Sequence, residues 1–595
     1  MTIRTIFSKM ILLAIVFGCG ASVFAQLPQN PILFVTQVPI VSDSLAVASV
    51  FSNHSGATFS APRGGDLMIR YSDGSFKNLT QVAGYGNSGA QGTNSIAVRE
   101  PTVHWSGTKA IFSMVVGSSS SQTDNTQYYW QIYEITRILA GQTPVITKVP
   151  NQPANFNNVS PIYGTDERII FTSDRPRNGA AHLYPQLDEY KLEATVTGLW
   201  SLDPVSGDLF MMDHNPSGDF TPFLDSYGRV LTSRWDHLQR DGIADGDFNG
   251  KTNRGTFNYS DESASAQQLF NDRTEIFPEP QGQRPDLLNG TNMVGMEFNI
   301  FLPWQMNEDG SQLESINHIG RHELRFAIGR NINDDPNVVN MQYATSGRAN
   351  QNIIQNLMQV REDPNIPGKY FFVDCEQNGA HAAGQICTLM AQPNLDPNQM
   401  TVTYLTDRST ANITRPPNNP PAAHSGLYRN PISTTDNKLL SSHSAYTYTD
   451  QNVGSQSNPI SKYDFRIKTL KKSGNYYVPD LMLTSGITKS VSWWTPTGQV
   501  NYNGALWEMY PQEVVARTKP NRRLSTIPSI EKSVFTEENV DETKFRNYLK
   551  KNNLALIISR DVTHRDNTDH QQPFFLRISG TTKQTTNYTG KLYDI

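Results

Sequence analysis

The sequence predicts an all-β protein, a β-propeller of six or seven blades of the TolB or WD40 kind, with a small mixed α/β extension at its C-terminus. Two observations support the propeller: a strand-forming unit recurs along the chain, and a second kind of hairpin accompanies it. A third is the composition. With 37% hydrophobic and 10% aromatic residues among 595, the chain can bury a large core.

The first 25 residues have the pattern of a signal peptide. Arg4 and Lys9 precede a short apolar run at 10–17, and Ala25 ends a segment that suits cleavage before Gln26. A lipoprotein signal ending at Cys19 is the less favoured alternative, because Phe17 is bulky for that motif. No later segment has the apolar length of a membrane span. We therefore expect a periplasmic or secreted protein.

The recurring unit is a proline, a polar or glycine turn, and an apolar strand that ends on Ser or Thr. It begins at Pro101, Pro161, Pro222 and Pro431, and a shorter version begins at Pro364. The first three prolines are 60 and 61 residues apart. This spacing predicts five units, with a sixth or seventh in less regular sequence.

The second hairpin is a strand, an Asp, Ser or Gly turn, and another strand. It occurs at 67–80, 199–212, 301–311 and 465–474. Two hairpins make a four-stranded blade, and blades close radially into a propeller. The strand at 31–37 precedes the first unit and is expected to complete the last blade. A β-sandwich with long loops would explain the strands but not the repeat.

Domain boundaries follow from where this rhythm stops. The propeller is expected to span 26–518, with a polar insertion at about 237–295. From 519 to 595 the sequence predicts the start of a C-terminal domain. There Thr536 is the expected N-cap of a helix over 540–551, and an apolar strand is expected at 554–560.

Charge and cysteine content exclude some classes of function. The net charge of −5 gives no basis for nucleic-acid binding. Cys375 and Cys387 are the two cysteines outside the signal, and export predicts that they form a disulfide. The chain has no CxxCH motif, so we expect no covalent c-type haem in it.

Five ordered stretches resemble a known family. They are SRWDHLQRD (233–241), GTFNYSDES (255–263), NEDG and NHIGRHEL (307–310 and 317–324), GAHAAGQI (379–386) and GALWEMYPQEVVAR (504–517). Together they are similar to exported bacterial proteins related to the α subunit of hydrazine synthase. The resemblance implies a propeller followed by haem-bearing domains, and a periplasmic redox protein or cytochrome as partner. Because the haem motif is missing, no haem residue is carried over. The chain is either truncated before that region or lacks it.

The insertion contains a candidate calcium loop. Asp-x-Asp-x-Asn-Gly places alternate oxygens around a sharp turn, as calcium requires. Position twelve is Thr256 rather than Glu, so the EF-hand pattern is incomplete; Asp261 or Glu262 would have to close a looser cage. A solvated acidic turn is the alternative. The candidate ligands are Asp241, Asp245, Asp247 and Asn249.

Histidines supply a second set of candidates. His318 and His322 lie four apart, a spacing that suits a transition metal on a helix, although Gly320 and the strand-rich setting favour a blade loop. The candidate ligand-binding residues near unit junctions are Asp236, His237, Arg240, Arg321, His381, His424 and His443.

These features leave three hypotheses for function. The favoured one is an exported propeller that acts as the binding or scaffold part of a periplasmic redox complex. The alternative is a metal-dependent enzyme with a histidine-lined site in the propeller channel. A purely structural surface protein is the third.

Overall fold

Most of the regular structure in this computed structural model is antiparallel β-sheet. The structure describes residues 27–40, 58, 61–86, 88–175, 196–213, 218–237, 256–257, 268–270, 299–316, 356–375, 381–393, 395, 400–407, 423–447, 452–552 and 554–558. Within these residues six four-stranded units are present, which confirms the all-β propeller and sets the count at six blades.

The blades are numbered by the chain order of their innermost strands. The strands of blade 6 come from both ends of the propeller sequence. Its N-terminal part is β1 (Ile32–Gln37), β2 (Leu67–Arg70) and β3 (Phe76–Asn78). The chain then forms the short helix α1 (Leu79–Val82), strand β4 (Gly89–Ala90) and a 3-10 turn (Gly92–Asn94). Blade 1 is β5 (Ile96–Val103), β6 (Lys109–Val116), β7 (Gln131–Thr136) and β8 (Val145–Lys148). Blade 2 is β9 (Asn158–Tyr163), β10 (Ile169–Ser173), β11 (Gly198–Leu202) and β12 (Leu209–Met211).

Blade 3 contains the insertion. Its strands are β13 (Asp219–Leu224), β14 (Val230–His237), β17 (Asn299–Met306) and β18 (Glu314–Ser315), and the small hairpin of β15 (Thr256–Phe257) and β16 (Gln268–Phe270) comes between its second and third strands. Blade 4 is β19 (Leu357–Glu362), β20 (Lys369–Cys375), β21 (Gly384–Met390) and β22 (Val402–Tyr404). Blade 5 is β23 (Leu427–Ser433), β24 (Leu439–Ser444), β25 (Arg466–Ser473) and β26 (Tyr476–Met482).

The last strand of the propeller closes the ring. After the hairpin of β27 (Thr488–Thr495) and β28 (Gly498–Ala505), strand β29 (Trp507–Glu513) pairs antiparallel with β1. The sheet order of blade 6 is β29-β1-β2-β3, so both ends of the propeller sequence build one blade. The predicted role of segment 31–37 is therefore confirmed.

The innermost strands form the wall of a central channel. Each one, in the order β5, β9, β13, β19, β23 and β29, contacts the next, and β29 contacts β5. Apolar side chains fill the space between neighbouring blades. Ile111 and Ile132 of blade 1, for example, pack with Tyr163, Ile169 and Phe171 of blade 2.

A bulge recurs in every innermost strand and explains the repeated proline. One residue per strand has a positive φ between 47° and 63°; these six bulge residues are Glu100, Ser160, Thr221, Gln359, Asn430 and Tyr510. The paired register shifts at each of these points, as expected where one strand carries an extra residue. Proline follows five of the six, and Val360 follows Gln359. Pro364, which the repeat pattern had aligned with these prolines, instead lies in the turn after β19.

The hairpin of β27 and β28 lies outside the blades and is fastened by one buried lysine. Lys489 Nζ donates to Asp66 Oδ2 at 2.6 Å and to the carbonyls of Gly64 and Gly86 at 2.9 and 2.8 Å. Burial raises the pKa of Asp66, and the adjacent Lys489 opposes that rise. The lysine thus ties the hairpin to the edge of blade 6.

The predicted disulfide is wrong. Cys375 lies opposite Gly384 in the β20–β21 ladder, and Cys387 lies opposite Phe372. A three-residue offset places the two side chains on opposite faces of the sheet. Cys375 accordingly packs with Trp235 and Val373, whereas Cys387 packs with Phe372 and Leu389. The two cysteines are not joined by a disulfide in this structure.

The C-terminal part contains two short helices, α2 (Ser529–Glu537) and α3 (Glu542–Asn552). The helix expected over 540–551 is present as α3, but Thr536 lies inside α2, and Asp541 Oδ1 instead accepts from the backbone N–H of Lys544. Residues 554–558 form no strand, since no neighbouring strand pairs with them there. Residues 559–560 lie outside the described part of the chain.

Across the described residues, no helix combines the length and the apolar character that a bilayer crossing needs.

Trp507 tests the closure of the ring. It is buried at the start of β29, and its Nε1 donates to Tyr463 O at 2.9 Å. We expect Trp507→Ala to lower the free energy of unfolding by about 4 kcal/mol, because it leaves a cavity and an unpaired carbonyl. Urea unfolding measures the change. Val205→Ala, on a side chain 90% exposed, should change it by less than about 0.5 kcal/mol. Equal effects would contradict the closure.

Candidate functional site

One end of the central channel opens into a cavity of about 360 Å3. All six innermost strands contribute to it through the second residue after each bulge. We call these six residues the mouth ring: Thr102, Ile162, Phe223, Arg361, Ile432 and Gln512. Trp105, Tyr163 and Leu224 add apolar walls. The bulges therefore position the site, because each one fixes which side chain reaches the mouth.

Two glutamates at this mouth occupy equivalent places in different blades. Glu362 ends β19 and accepts hydrogen bonds from Ser226 N (2.7 Å), Ser226 Oγ (2.8 Å) and Gly368 N (2.9 Å). Glu513 ends β29 and accepts from Thr435 N and Thr435 Oγ1 (both 2.9 Å) and from Asn30 Nδ2 (2.8 Å). Each carboxylate thus fastens its own blade to the turn of the preceding blade.

Similar contacts run around the whole face. His104 Nε2 lies 3.0 Å from Glu167 Oε2 between blades 1 and 2, and Glu308 of blade 3 accepts from Thr165 N and Oγ1 of blade 2, both at 2.5 Å. Asn365 Nδ2 of blade 4 donates to Thr434 O of blade 5 at 2.9 Å. The acidic groups here hold blades together and face donors of the protein itself.

Residues 515–523, here called the C-terminal strap, cross this face after β29. Arg517 N donates to Trp105 O at 2.8 Å, and Arg522 Nη1 lies 2.9 Å from Asp166 Oδ2. Gly228, with φ at +77°, permits the crossing: a Cβ there would lie 2.3 Å from Asn521 O. The strap joins blade 6 to blades 1, 2 and 3 and places Arg517 at the edge of the cavity.

Arg361 is the charged member of the mouth ring. Its Nη1 donates to Val360 O at 2.7 Å, and its guanidinium lies 5.7 Å from the centre of the Phe223 ring. Burial lowers the pKa of Arg361 to about 10, although Glu100 and Tyr510 favour its charged form. It remains a cation at neutral pH.

Behind the mouth, the bulge residues form a buried polar layer. Arg99 and Glu100 are joined by two hydrogen bonds of 3.0 Å, and Ser160 Oγ donates to Glu100 Oε2 at 2.6 Å. Between the adjacent blades 4 and 5, Asn430 N donates to Gln359 Oε1 at 2.7 Å. Burial raises the pKa of Tyr510. Glu100, Ser160, Gln359 and Asn430 therefore already have partners, whereas Thr221 Oγ1 is buried without a hydrogen-bond partner among the described residues.

The predicted histidines whose side chains are described, His381, His424 and His443, do not line the cavity. His381 is fully buried, and its ring packs edge-on against Tyr463, Phe465 and Trp507 at 4.8–5.9 Å. It therefore packs around the start of β29, whereas the cavity lies at the end of that strand.

His424 and His443 lie close together beside blade 5. His443 Nε2 donates to Ser425 O at 2.5 Å, and Nδ1 lies 2.9 Å from Lys468 Nζ, so both ring nitrogens are engaged. Burial, with the adjacent Lys468, lowers the pKa of His443 to about 3. His424 is half-buried, and burial lowers its pKa as well. His443 is a neutral, structural histidine at physiological pH.

The remaining predicted residues are described in part or not at all. Asp236 and His237 lie on β14, where they pair with Ile300 and Asn299 of β17. The described residues contain no group of three His, Cys, Asp or Glu side chains that could hold a metal ion. The other candidates lie outside those residues and stay predictions: Arg240, Arg321, Asp241, Asp245, Asp247, Asn249, His318 and His322.

Sequence reasoning missed Arg361, Arg517 and the two glutamates. The signal that would have found Arg361 is its place two residues after the bulge position, but in blade 4 the marker proline is replaced by Val360. The Glu362 and Glu513 positions were recognisable only once β19 and β29 had been aligned as equivalent strands.

Comparison with known proteins gives weak similarities. No protein-family profile and no curated protein matches the chain. Hydrazine synthase from Kuenenia stuttgartiensis is 14% identical with a TM-score of 0.45, over 84% of this chain and 48% of that one, so this chain spans about half its length. YjhT is 10% identical with a TM-score of 0.29, over 70% of this chain and 90% of that one. An oligogalacturonate lyase from Vibrio parahaemolyticus is 9% identical with a TM-score of 0.26, over 74% of this chain and 93% of that one. The predicted family resemblance is confirmed only as a weak structural likeness.

His443 predicts how stability depends on pH. Its pKa is lower in the folded protein than the ordinary 6.5, so below pH 6.5 the unfolded chain binds a proton that the folded chain does not. Acidification from pH 6.5 to 5 should therefore cost about 2 kcal/mol of stability through this group. In His443→Gln this contribution to the pH dependence of the unfolding free energy should vanish, as measured by urea unfolding between pH 6.5 and 5. The partly exposed His104 provides the control, since His104→Gln should keep most of the slope. An unchanged slope in His443→Gln would contradict the assignment.

Proposed function

We propose that this chain is an exported binding propeller that takes a small molecule into the channel mouth and forms the binding or scaffold part of a periplasmic redox complex. The observation that supports binding is the cavity itself. All six innermost strands build it, and its volume of about 360 Å3 suits a small organic ligand. Apolar walls with a few polar groups are typical of such sites.

The redox context rests on the sequence. The five family-like segments and the signal-peptide pattern suggest an exported protein that works beside a cytochrome. Because the chain lacks CxxCH, a c-type haem would have to be supplied by the partner.

The alternative, a metal-dependent enzyme in the channel, has less support. Of its described histidines, His381 is a buried core residue and His443 has both ring nitrogens engaged. His424 has two ring nitrogens without a hydrogen-bond partner among the described residues, but both are buried. Metal ligation needs a ring nitrogen that is accessible and deprotonated. No contact among the described residues favours this function, and His318 and His322 remain its untested part.

Filling the cavity tests the binding function. Ser433 lines the mouth, and Ser433→Phe should occupy part of the cavity and abolish ligand binding. The measurement is thermal denaturation against a panel of small charged and neutral metabolites. Compounds that stabilise the wild type should leave the Ser433→Phe melting temperature unchanged.

The matched control is Ser473→Phe, at the exposed end of β25, because Ser473 does not line the cavity. It should respond to the same compounds as the wild type. If every stabilising compound acts equally on Ser433→Phe, the ligand does not bind in the cavity and the proposal fails.

The redox part makes a spectroscopic prediction. The purified chain should show no Soret band, because it has no attachment site for c-type haem. Visible absorption together with elemental analysis checks this. Near-stoichiometric zinc, copper or iron would instead favour the metal-dependent enzyme, and calcium alone would favour the Asp245 loop as a structural site.

A further inference from the structure

We infer that the ligand of the channel mouth carries an oxyanion, such as a carboxylate, phosphate or sulfate, on a partly apolar body, and that Arg361 and Arg517 bind the oxyanion. This inference rests on the proposed binding function and specifies the chemistry of the ligand. It follows from how the charged groups at the mouth are used.

Glu362 and Glu513 each accept three hydrogen bonds from the turns around them. Asp225 accepts from Arg229 Nε at 2.7 Å and from Tyr370 OH at 2.8 Å. These acids are committed to holding the blades, so they offer little to a cationic ligand.

Arg361 donates to a backbone carbonyl, and Arg517 Nη2 lies 3.4 Å from Val103 O. Neither has a carboxylate within ion-pair distance among the described residues, in contrast to Arg229 and Arg522 nearby. A guanidinium offers five donors in a planar fork that matches an oxyanion. Most of that capacity is unused at the mouth.

Among the six equivalent residues of the mouth ring, Arg361 alone is charged. Glu100 behind it accepts from Arg99 and Ser160, and its charge acts on Arg361 without forming an ion pair with it. The burial that lowers the pKa of Arg361 also strengthens any charge-assisted hydrogen bond that it makes.

The same space is lined by apolar side chains, those of Trp105, Ile162, Phe223 and Ile432. They offer apolar and aromatic surface but no further ionic partner. A small oxyanion with an apolar body would use both features, whereas inorganic phosphate would use the arginines alone.

The experiment compares isosteric probes by isothermal titration calorimetry on the full chain. The probes are benzoate against benzamide, phenyl phosphate, and inorganic phosphate. We expect benzoate and phenyl phosphate to bind at least tenfold more tightly than benzamide, and inorganic phosphate more weakly than phenyl phosphate. The relative affinities of benzoate and phenyl phosphate then indicate which oxyanion the site prefers.

Two variants connect this binding to the arginines. Arg361→Gln should weaken benzoate binding at least tenfold, and Arg517→Gln, in the exposed strap where folding is less at risk, should weaken it severalfold. Arg522→Gln is the matched control, because Arg522 lies on the same strap but does not line the cavity, and it should leave affinity unchanged.

Two outcomes would overturn the inference. Benzamide binding as tightly as benzoate, with both lost in Ser433→Phe, would keep the binding function and remove the oxyanion. Absence of benzoate and phenyl phosphate binding, or binding that both arginine variants retain, would remove the assigned site. The binding function itself fails separately, through the Ser433→Phe comparison across the wider panel.

Discussion

The ladder between β29 and β1 is the constraint on which the rest of the structure depends. In a propeller each blade packs against its two neighbours, so an open ring would leave two blades each with one face uncovered. Here blade 6 takes its innermost strand from the C-terminal side and its other three from the N-terminal side. Trp507 and Met509 of β29 pack with Leu33 and Val35 of β1 in one apolar cluster. The channel, and the cavity at its end, exist because this ladder completes the circle.

Closure also explains why the charges at the mouth are unequally used. Packing six twisted sheets around an axis leaves the turns between first and second strands side by side on one face. The carboxylates of Glu362, Glu513 and Glu308 accept from backbone donors of neighbouring turns, and these contacts stabilise the ring. The same turns offer no acid to Arg361. Because the glutamates are used to hold the turns together, the guanidinium of Arg361 is left without an acidic partner at the mouth.

The sequence predicted the ring-closing strand, four outer hairpins and the recurrence of the innermost strands, because proline and the turn residues act locally. Proline, with its fixed φ, follows the bulge residue in five of the innermost strands. In blade 4 Val360 stands at that position, so the proline pattern did not locate its bulge. The predicted Cys375–Cys387 disulfide was wrong, and so was the predicted strand over its described residues 554–558. Both depend on which residues face and pair with each other, and spacing in the sequence does not determine this. The site was missed for a related reason. Histidines were chosen by residue type, whereas the cavity is defined by six positions that converge only in the closed ring.

The two ends of β29 show how this division of roles arises. At its start, Trp507 packs with His381, Tyr463 and Phe465, so that end of the channel wall is aromatic and buried. At its end, Gln512 and Glu513 reach the cavity, where Glu513 is held by Thr435 and Asn30. Burying a charge requires a partner. At the aromatic end, the buried carboxylate of Glu508 is paired with Arg466 at 2.9 Å. The mouth, by contrast, retains Arg361 without a carboxylate partner in the described part of the chain. An anionic group from outside the protein is the partner that would complete this arrangement.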